Sequence, residues 1–377
     1  MQPGDEIIIE PAELVAGGES LARVDGFPVF TAGLFPGDVA RVRLLEVKKG
    51  FARADPVEIL TPSSGRRAAP CPVASECGGC DWTALRLDRQ LEAKQRILSE
   101  SLRRIGKLDP ATLPPIRLHP SPLNYRVRSR LHTDGEAVGF YAMRSNRVIP
   151  LPAECEVVGT RTAATFGSRP AVAVTETEPL PEIWEVGDAL IDDDRELTII
   201  SGNDRWRLST GSFFQVNRHL LGTMLQLVSA HASRVKSREL ALDLYAGVGF
   251  FSVPLGRLFG QVIAVEGSAR SARYARLNVP GSVKVVSAPV EEQISRLPAA
   301  DFVFLDPPRA GARREVIDTI ARQAKEMIAY LSCDPVTFSR DASRLIASGW
   351  RLSTLDVLDL FPNTHHVETL SSFERAQ

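Results

Sequence analysis

A regular alternation in the C-terminal half limits the fold more than any other feature of the chain. Apolar runs at residues 240–245, 262–266, 283–286, 302–306 and 327–332 are separated by helical segments. In one of these segments, 315–324, Val316, Ile317, Ile320, Ala321 and Ala324 fall on one helical face. Strands alternating with helices build a doubly wound α/β domain around a mostly parallel sheet. The pattern starts near residue 209, so 209–377 is the expected α/β domain. Ligands of such sheets bind beyond the carboxyl ends of the strands.

The N-terminal sixth reads differently. Short runs at 7–9, 20–24, 28–30, 39–44 and 54–59 are separated by Gly17-Gly18, Asp25-Gly26, Pro36-Gly37 and Lys49-Gly50. Five short strands with turn signals at this spacing predict a small β-barrel of the OB type over residues 1–61. Thr61-Pro62-Ser63-Ser64-Gly65 is a turn-rich linker. A central α+β region, 62–208, lies between the barrel and the α/β domain. It opens with Cys71, Cys77 and Cys80, continues with a helix over about 85–105, and later carries Cys155.

That helix repeats Leu87, Leu91, Leu98, Leu102 and Ile105 on one side and carries Arg86, Arg89, Lys94, Arg96, Arg103 and Arg104 on the other. A period-two stretch from Tyr125 to His132 follows, which sends Arg126, Arg128 and Arg130 to one face of a strand. Three guanidinium groups on one face repel each other. They imply either an anionic partner or acidic neighbours that form salt bridges.

The total charge sets a limit on the first of these. Lys and Arg number 45 against 46 Asp and Glu, a net charge of -1. Wholesale polybasic binding of nucleic acid is not expected, and any RNA contact must use a local basic face. Met1-Gln2-Pro3-Gly4-Asp5-Glu6 lacks the basic region and apolar core of a signal peptide. The longest nearly apolar stretch, 240–256, is broken by Asp243 and Pro254 and is too short for a membrane span. A soluble, cytoplasmic chain is expected, and its odd number of cysteines does not read as a disulfide framework.

Three places in the α/β domain carry chemistry. Asp243-Leu244-Tyr245-Ala246-Gly247-Val248-Gly249 runs from a strand into a glycine turn at a helix start, where backbone can approach a ligand closely. A second strand ends at Glu266, whose carboxylate can accept both hydroxyls of a ribose. This pair is common to dinucleotide folds and S-adenosylmethionine (SAM) methyltransferases, and Ser252 in place of a third glycine disfavours the dinucleotide. Asp306-Pro307-Pro308-Arg309 ends another strand. Ser332-Cys333-Asp334-Pro335 ends the next, which puts Cys333 at the same sheet edge as the glycine turn. Glu368 precedes a final strand, after His365-His366-Val367.

One thiol and one acid at the edge of a SAM-type sheet suit a specific reaction. Carbon 5 of uracil is a poor nucleophile until a thiolate adds to carbon 6; a base must later remove the carbon-5 proton so that the thiolate can leave.

The chain resembles the RNA uracil-5 methyltransferase family over nearly its whole length. Phe213-Phe214-Gln215-Val216-Asn217, the 243–249 turn, Asp306-Pro307-Pro308-Arg309, Ser332-Cys333-Asp334-Pro335 and His366-Val367-Glu368-Thr369 appear in family order. The resemblance implies a Rossmann-like SAM methyltransferase domain, Cys333 as nucleophile, Glu368 as proton acceptor, and Gln215, Tyr245, Glu266 and Asp306 as cofactor contacts. It makes the N-terminal barrel similar to a TRAM domain, an RNA-binding module. Ala246 replaces a cysteine found in many members.

Read from their chemistry, four thiolates suit zinc or iron–sulfur. Cys71, Cys77, Cys80 and Cys155 are similar to the 4Fe–4S ligands of the family's rRNA-modifying branch, and a triplet with a distant single departs from the paired spacing of structural zinc. The implied partner is structured RNA, 23S rRNA ahead of tRNA, with Arg126, Arg128 and Arg130 as candidate contacts. A monomer without an obligate protein partner is expected. The competing readings are a non-catalytic RNA-binding protein and a redox enzyme using the cluster and a dinucleotide.

Overall fold

The computed structural model describes residues 1–167 and 182–376. Its first six strands are β1 (Glu6–Ile9), β2 (Glu13–Leu14), β3 (Ser20–Val24), β4 (Phe27–Thr31), β5 (Val39–Val47) and β6 (Ala52–Thr61). They form one sheet in the order β1-β5-β6-β4-β3-β2, antiparallel except for the β4–β6 pair. Alternate residues point inward, so Ile9, Ala22, Val29, Ala40, Val42, Leu44, Ala52 and Ala54 form the core. Register shifts between β5 and β6 bend the sheet. The five expected strands are all present, with the short β2 added.

Next come α1 (Leu87–Arg104), β7 (Ile116–His119), β8 (Arg128–Ser129), β9 (His132–Thr133), β10 (Val138–Tyr141), β11 (Val148–Pro150) and α2 (Thr160–Phe166). In α1, Ile97, Leu98 and Leu102 are buried, as helical spacing requires, while Ile105 lies beyond the helix and is exposed. The basic face expected of this helix needs correction. Lys94 is fully buried; its ammonium donates to the Phe361 carbonyl at 2.9 Å and lies 6.0 Å from the Trp82 ring. Arg86 pairs with Asp88, Arg89 with Glu92, and Arg103 and Arg104 with Glu100. Acids within about one helical turn neutralise most of that surface.

The stretch from Tyr125 to His132 keeps its period of two, with Tyr125, Val127, Ser129 and Leu131 buried. It does not form one long strand, because its backbone changes partners. Val127 donates to the Val216 carbonyl and accepts from Glu185, Arg126 bridges Asn217, and Ser129 pairs with Ile183.

The remaining elements are β12 (Ile183–Val186), β13 (Ala189–Ile191), β14 (Glu196–Ser201), β15 (Asp204–Ser209), α3 (Leu221–Ser233), β16 (Leu240–Leu244), α4 (Ser252–Leu258), β17 (Gln261–Glu266), α5 (Ala269–Asn278), β18 (Val283–Ser287), α6 (Val290–Gln293), β19 (Ala300–Leu305), α7 (Arg314–Gln323), β20 (Ala324–Ser332), α8 (Pro335–Ala347), β21 (Trp350–Leu358) and β22 (Glu368–Arg375). A large sheet takes the order β18-β17-β16-β19-β20-β22-β21-β7. β16 to β20 are parallel, and β22 runs antiparallel between β20 and β21. β19 is buried at every position, as a central strand covered on both faces must be.

The described residues divide into two compact units, one of 1–98, 131–167 and 361–366, the other of 99–130, 182–360 and 367–376. This division differs from the sequence boundaries at 61/62 and 208/209. β7, from the middle of the chain, pairs in parallel with β21 through Ile116↔Leu355 to His119↔Leu358, and so belongs to the large sheet. Residues 168–181 of the expected central region lie outside the described residues.

Candidate active site

β20 ends at Ser332, and Asp334 then caps α8, accepting from the backbone N–H groups of Val336 at 3.0 Å and Thr337 at 2.8 Å. Cys333 sits between them, half-buried at a strand end and a helix start. β20 pairs with β22 through Ser332↔Thr369. One step further along this antiparallel ladder stands Glu368, the first residue of β22, which is buried. The expected nucleophile and the expected base are thus brought together.

Their charges are coupled. The Cys333 thiol is pushed up to about 12, first by burial, then by Glu368 and Asp306, while Arg309 pulls it down. The resting residue is therefore a thiol at neutral pH. A negative charge removed from its surroundings would favour the thiolate.

Asp306 is the first residue after β19, and its backbone N–H donates to the Leu244 carbonyl of β16 at 3.3 Å. The Gln215 amide donates to its carboxylate at 3.0 Å. Burial raises Asp306 to about 7, the nearby Asp243 adds to the rise, and the Gln215 bond opposes it. Asp243, inside β16, is likewise raised to about 7, by burial and then by Glu266, against the hydrogen bond from Ser252. Its Oδ1 is buried with no hydrogen-bond partner.

The glycine turn closes the other side. Tyr245 takes a left-handed φ of 63° and its hydroxyl donates to Glu291 at 2.9 Å. Gly247 and Gly249 follow with φ of 57° and 84°, conformations that residues other than glycine rarely adopt. A Cβ on Gly249 would lie 2.9 Å from Val279. Glu266 fastens this turn, accepting from the N–H of Gly247 at 2.7 Å and of Ser268 at 2.6 Å.

Ser252, which the sequence shows merely as a missing glycine, is the hydrogen-bond donor to buried Asp243. Glu291 was not legible at all; it lies at the head of α6, after the third strand, with no motif around it. Asp243 was part of the strand motif without an assigned task.

The three arginines are not equivalent. Arg128 pairs with Glu182 at 2.8 Å, donates to the Phe214 carbonyl, and lies over the rings of Trp184 and Phe213. Arg126 is partly buried beside the Tyr125 ring, and Arg130 is exposed.

Cys71, Cys77, Cys80 and Cys155 line one cavity, walled largely by Phe140, Ile149 and Leu151. Gly78 and Gly79 allow the chain to pass against β10, since a Cβ would come within 2.9 Å of the Tyr141 carbonyl and 3.1 Å of the Phe140 ring. Burial raises the thiols of Cys71 and Cys77. Four soft donors in an apolar wall fit iron–sulfur or zinc ligation. Among the described residues, no group of three or more His, Cys, Asp or Glu side chains converges tightly enough to hold a single metal ion.

Comparison with known proteins gives the chain's family and fold. Residues 192–302 and 294–375 match the family described as tRNA (Uracil-5-)-methyltransferase, and residues 6–57 match the TRAM domain. An "Uncharacterized RNA methyltransferase" of Corynebacterium efficiens is 33% identical, covering 99% of this chain and 95% of its own length. One from Gloeobacter violaceus is 30% identical, over 99% and 97%. Among solved structures, the tRNA (uracil-54, C5)-methyltransferase of Pyrococcus abyssi with S-adenosyl-L-homocysteine shares the fold at a TM-score of 0.72, with 22% identity over 97% of this chain and 99% of that one.

Proposed function

Since the chain belongs to the RNA uracil-5 methyltransferase family, we propose that it methylates carbon 5 of a specific uridine in folded RNA, most readily 23S rRNA, through a transient bond from Cys333 to carbon 6. The β20–β22 register, which ends at Ser332↔Thr369 one residue short of both Cys333 and Glu368, carries this reading. SAM, when bound, supplies an electrophilic methyl group.

The chain's own residues divide the work. Glu266 and the 245–249 turn hold the ribose and amino-acid ends of the donor. Asp243, with an unpartnered buried oxygen, offers it a hydrogen-bond acceptor. Gln215 and Asp306 contact the donor and also orient the uracil. Cys333 gives up its proton to solvent, bonds to carbon 6 as the thiolate and pushes electron density onto carbon 5. After carbon 5 is methylated, Glu368 takes its proton, the carbon 5–carbon 6 double bond re-forms, and sulfur departs as thiolate. The uridine must leave its stack to reach the thiol.

Cys71, Cys77, Cys80 and Cys155 would hold a 4Fe–4S cluster, which would cross-link residues 71–80 to 155. Their spacing, a triplet with a distant single, departs from the two close pairs usual in structural zinc sites. Four cysteine ligands would favour rRNA, as in the family's rRNA-modifying branch, although some archaeal members with cysteine ligands act on tRNA. The N-terminal barrel and Arg130 would contact RNA backbone, in a cytoplasmic monomer. Mass-spectrometric mapping of 5-methyluridine in cells with and without this gene tests the substrate. Loss of one rRNA site supports the proposal; an intact rRNA with a missing tRNA site transfers the same chemistry to tRNA.

A further inference from the structure

Helix α8, which starts directly after Cys333, also grips the turn that follows Asp306. Asp341 is fully buried in α8 and accepts from the Tyr330 hydroxyl of β20 at 2.9 Å and from Arg340 Nε at 2.8 Å. Arg340 Nη2 donates to the Ala312 and Ala310 carbonyls at 3.2 and 3.4 Å. Thr337 Oγ1 donates to the Arg309 carbonyl at 3.4 Å. Gly311, at φ 75°, packs so closely that a Cβ would lie 2.6 Å from Arg340 Nη2 and 3.0 Å from both Asp341 Oδ2 and Thr337 Cβ. The Asp341 carboxylate therefore ties the strand that leads to Cys333 to Arg340, and Arg340 holds the turn.

We propose that Arg340, seated on the Asp341 carboxylate that Tyr330 also holds, is a positioning residue that keeps the 309–312 turn, and with it Arg309, beside Cys333. The proposal rests on the reading of Cys333 as nucleophile. Three charged groups act on that sulfur: Glu368 from β22, Asp306 after β19, and Arg309 from the turn. Glu368 and Asp306 disfavour the thiolate, and Arg309 opposes them. A turn free to drift would leave the two acids unopposed.

The test needs neither RNA nor SAM. Carbamidomethylation of the Cys333 peptide is followed by mass spectrometry against pH, in the full chain. Arg340→Gln should slow it about threefold across neutral pH, a shift of roughly half a unit upward. Arg340→Lys should recover part of the loss, and Tyr330→Phe should shift the profile the same way by less. Arg309→Gln gives the limiting effect, and Arg340→Gln added to it should change nothing more. A profile unmoved by Arg340→Gln, or a further shift in the double variant, overturns the proposal. If Arg340→Gln does not fold, Tyr330→Phe decides by the same criterion. Methylation by Cys333→Ser is assayed separately, so failure of the nucleophile assignment is read independently of failure of the clamp.

Discussion

Cys333 and Glu368 each lie one residue beyond the Ser332↔Thr369 pair that closes the β20–β22 ladder. Burial first, then the charges of Glu368 and Asp306, push the thiol up to about 12.

Removing the acid should therefore have two opposite effects. Glu368→Gln lowers the pH at which Cys333 reacts with an alkylating reagent, because a raising charge is gone. It also blocks the release step, so a covalent protein–RNA species accumulates on denaturing gels. A Glu368→Gln enzyme that alkylates like wild type and leaves no adduct would deny the acid both tasks.

Asp243 ties pH to stability. Its carboxyl is raised to about 7 in the fold, from an ordinary 3.8. The folded chain thus binds a proton that the unfolded chain has lost, and this contribution, complete below about pH 4, fades as pH rises through about 7. Asp243→Asn should flatten that part of the profile in urea melts. A profile that falls equally in wild type and variant would contradict the assignment.

Ser252 supplies the hydrogen bond to that carboxylate. Ser252→Ala should destabilise the chain by about 1–3 kcal/mol, the usual penalty for a buried polar group that loses its partner. Chemical denaturation measures it, and a loss below a few tenths of a kcal/mol would mean that the bond is not needed.

Arg128 and Arg130 should separate fold from RNA affinity. Arg130 is exposed, so Arg130→Ala weakens RNA binding and reduces its salt dependence by about one counterion. Arg128→Ala leaves Glu182 without its partner and lowers the melting temperature. Filter binding across salt concentrations and thermal melts check the pair; equal effects of both changes on both measurements would refute the distinction.

The four-cysteine cavity has its own test. Anaerobic purification should yield a brown protein with iron and acid-labile sulfide, and Cys77→Ser should lose both. A colourless protein with stoichiometric zinc would replace the cluster with an ion.

The sequence revealed what is local and periodic. The barrel strands and the runs from 240 to 332 follow from alternation and continuous apolarity, and the glycine turn from its residue types. The large sheet's edge was hidden, because pairing of β7 with β21 joins residues more than 230 positions apart. Lys94 was read as a surface cation because its charge says nothing of the Phe361 carbonyl it meets. Ser252 looked like a defect in one fingerprint until its partner, Asp243, was in view.

The central claim is that sulfur at position 333 makes carbon 5 nucleophilic. Single-turnover transfer from methyl-labelled SAM to the cognate RNA, in wild type and Cys333→Ala with matched RNA binding, tests it most directly. The account predicts label on carbon 5 of one uridine with wild type and none with the variant. Label appearing at an undiminished rate with Cys333→Ala would contradict it.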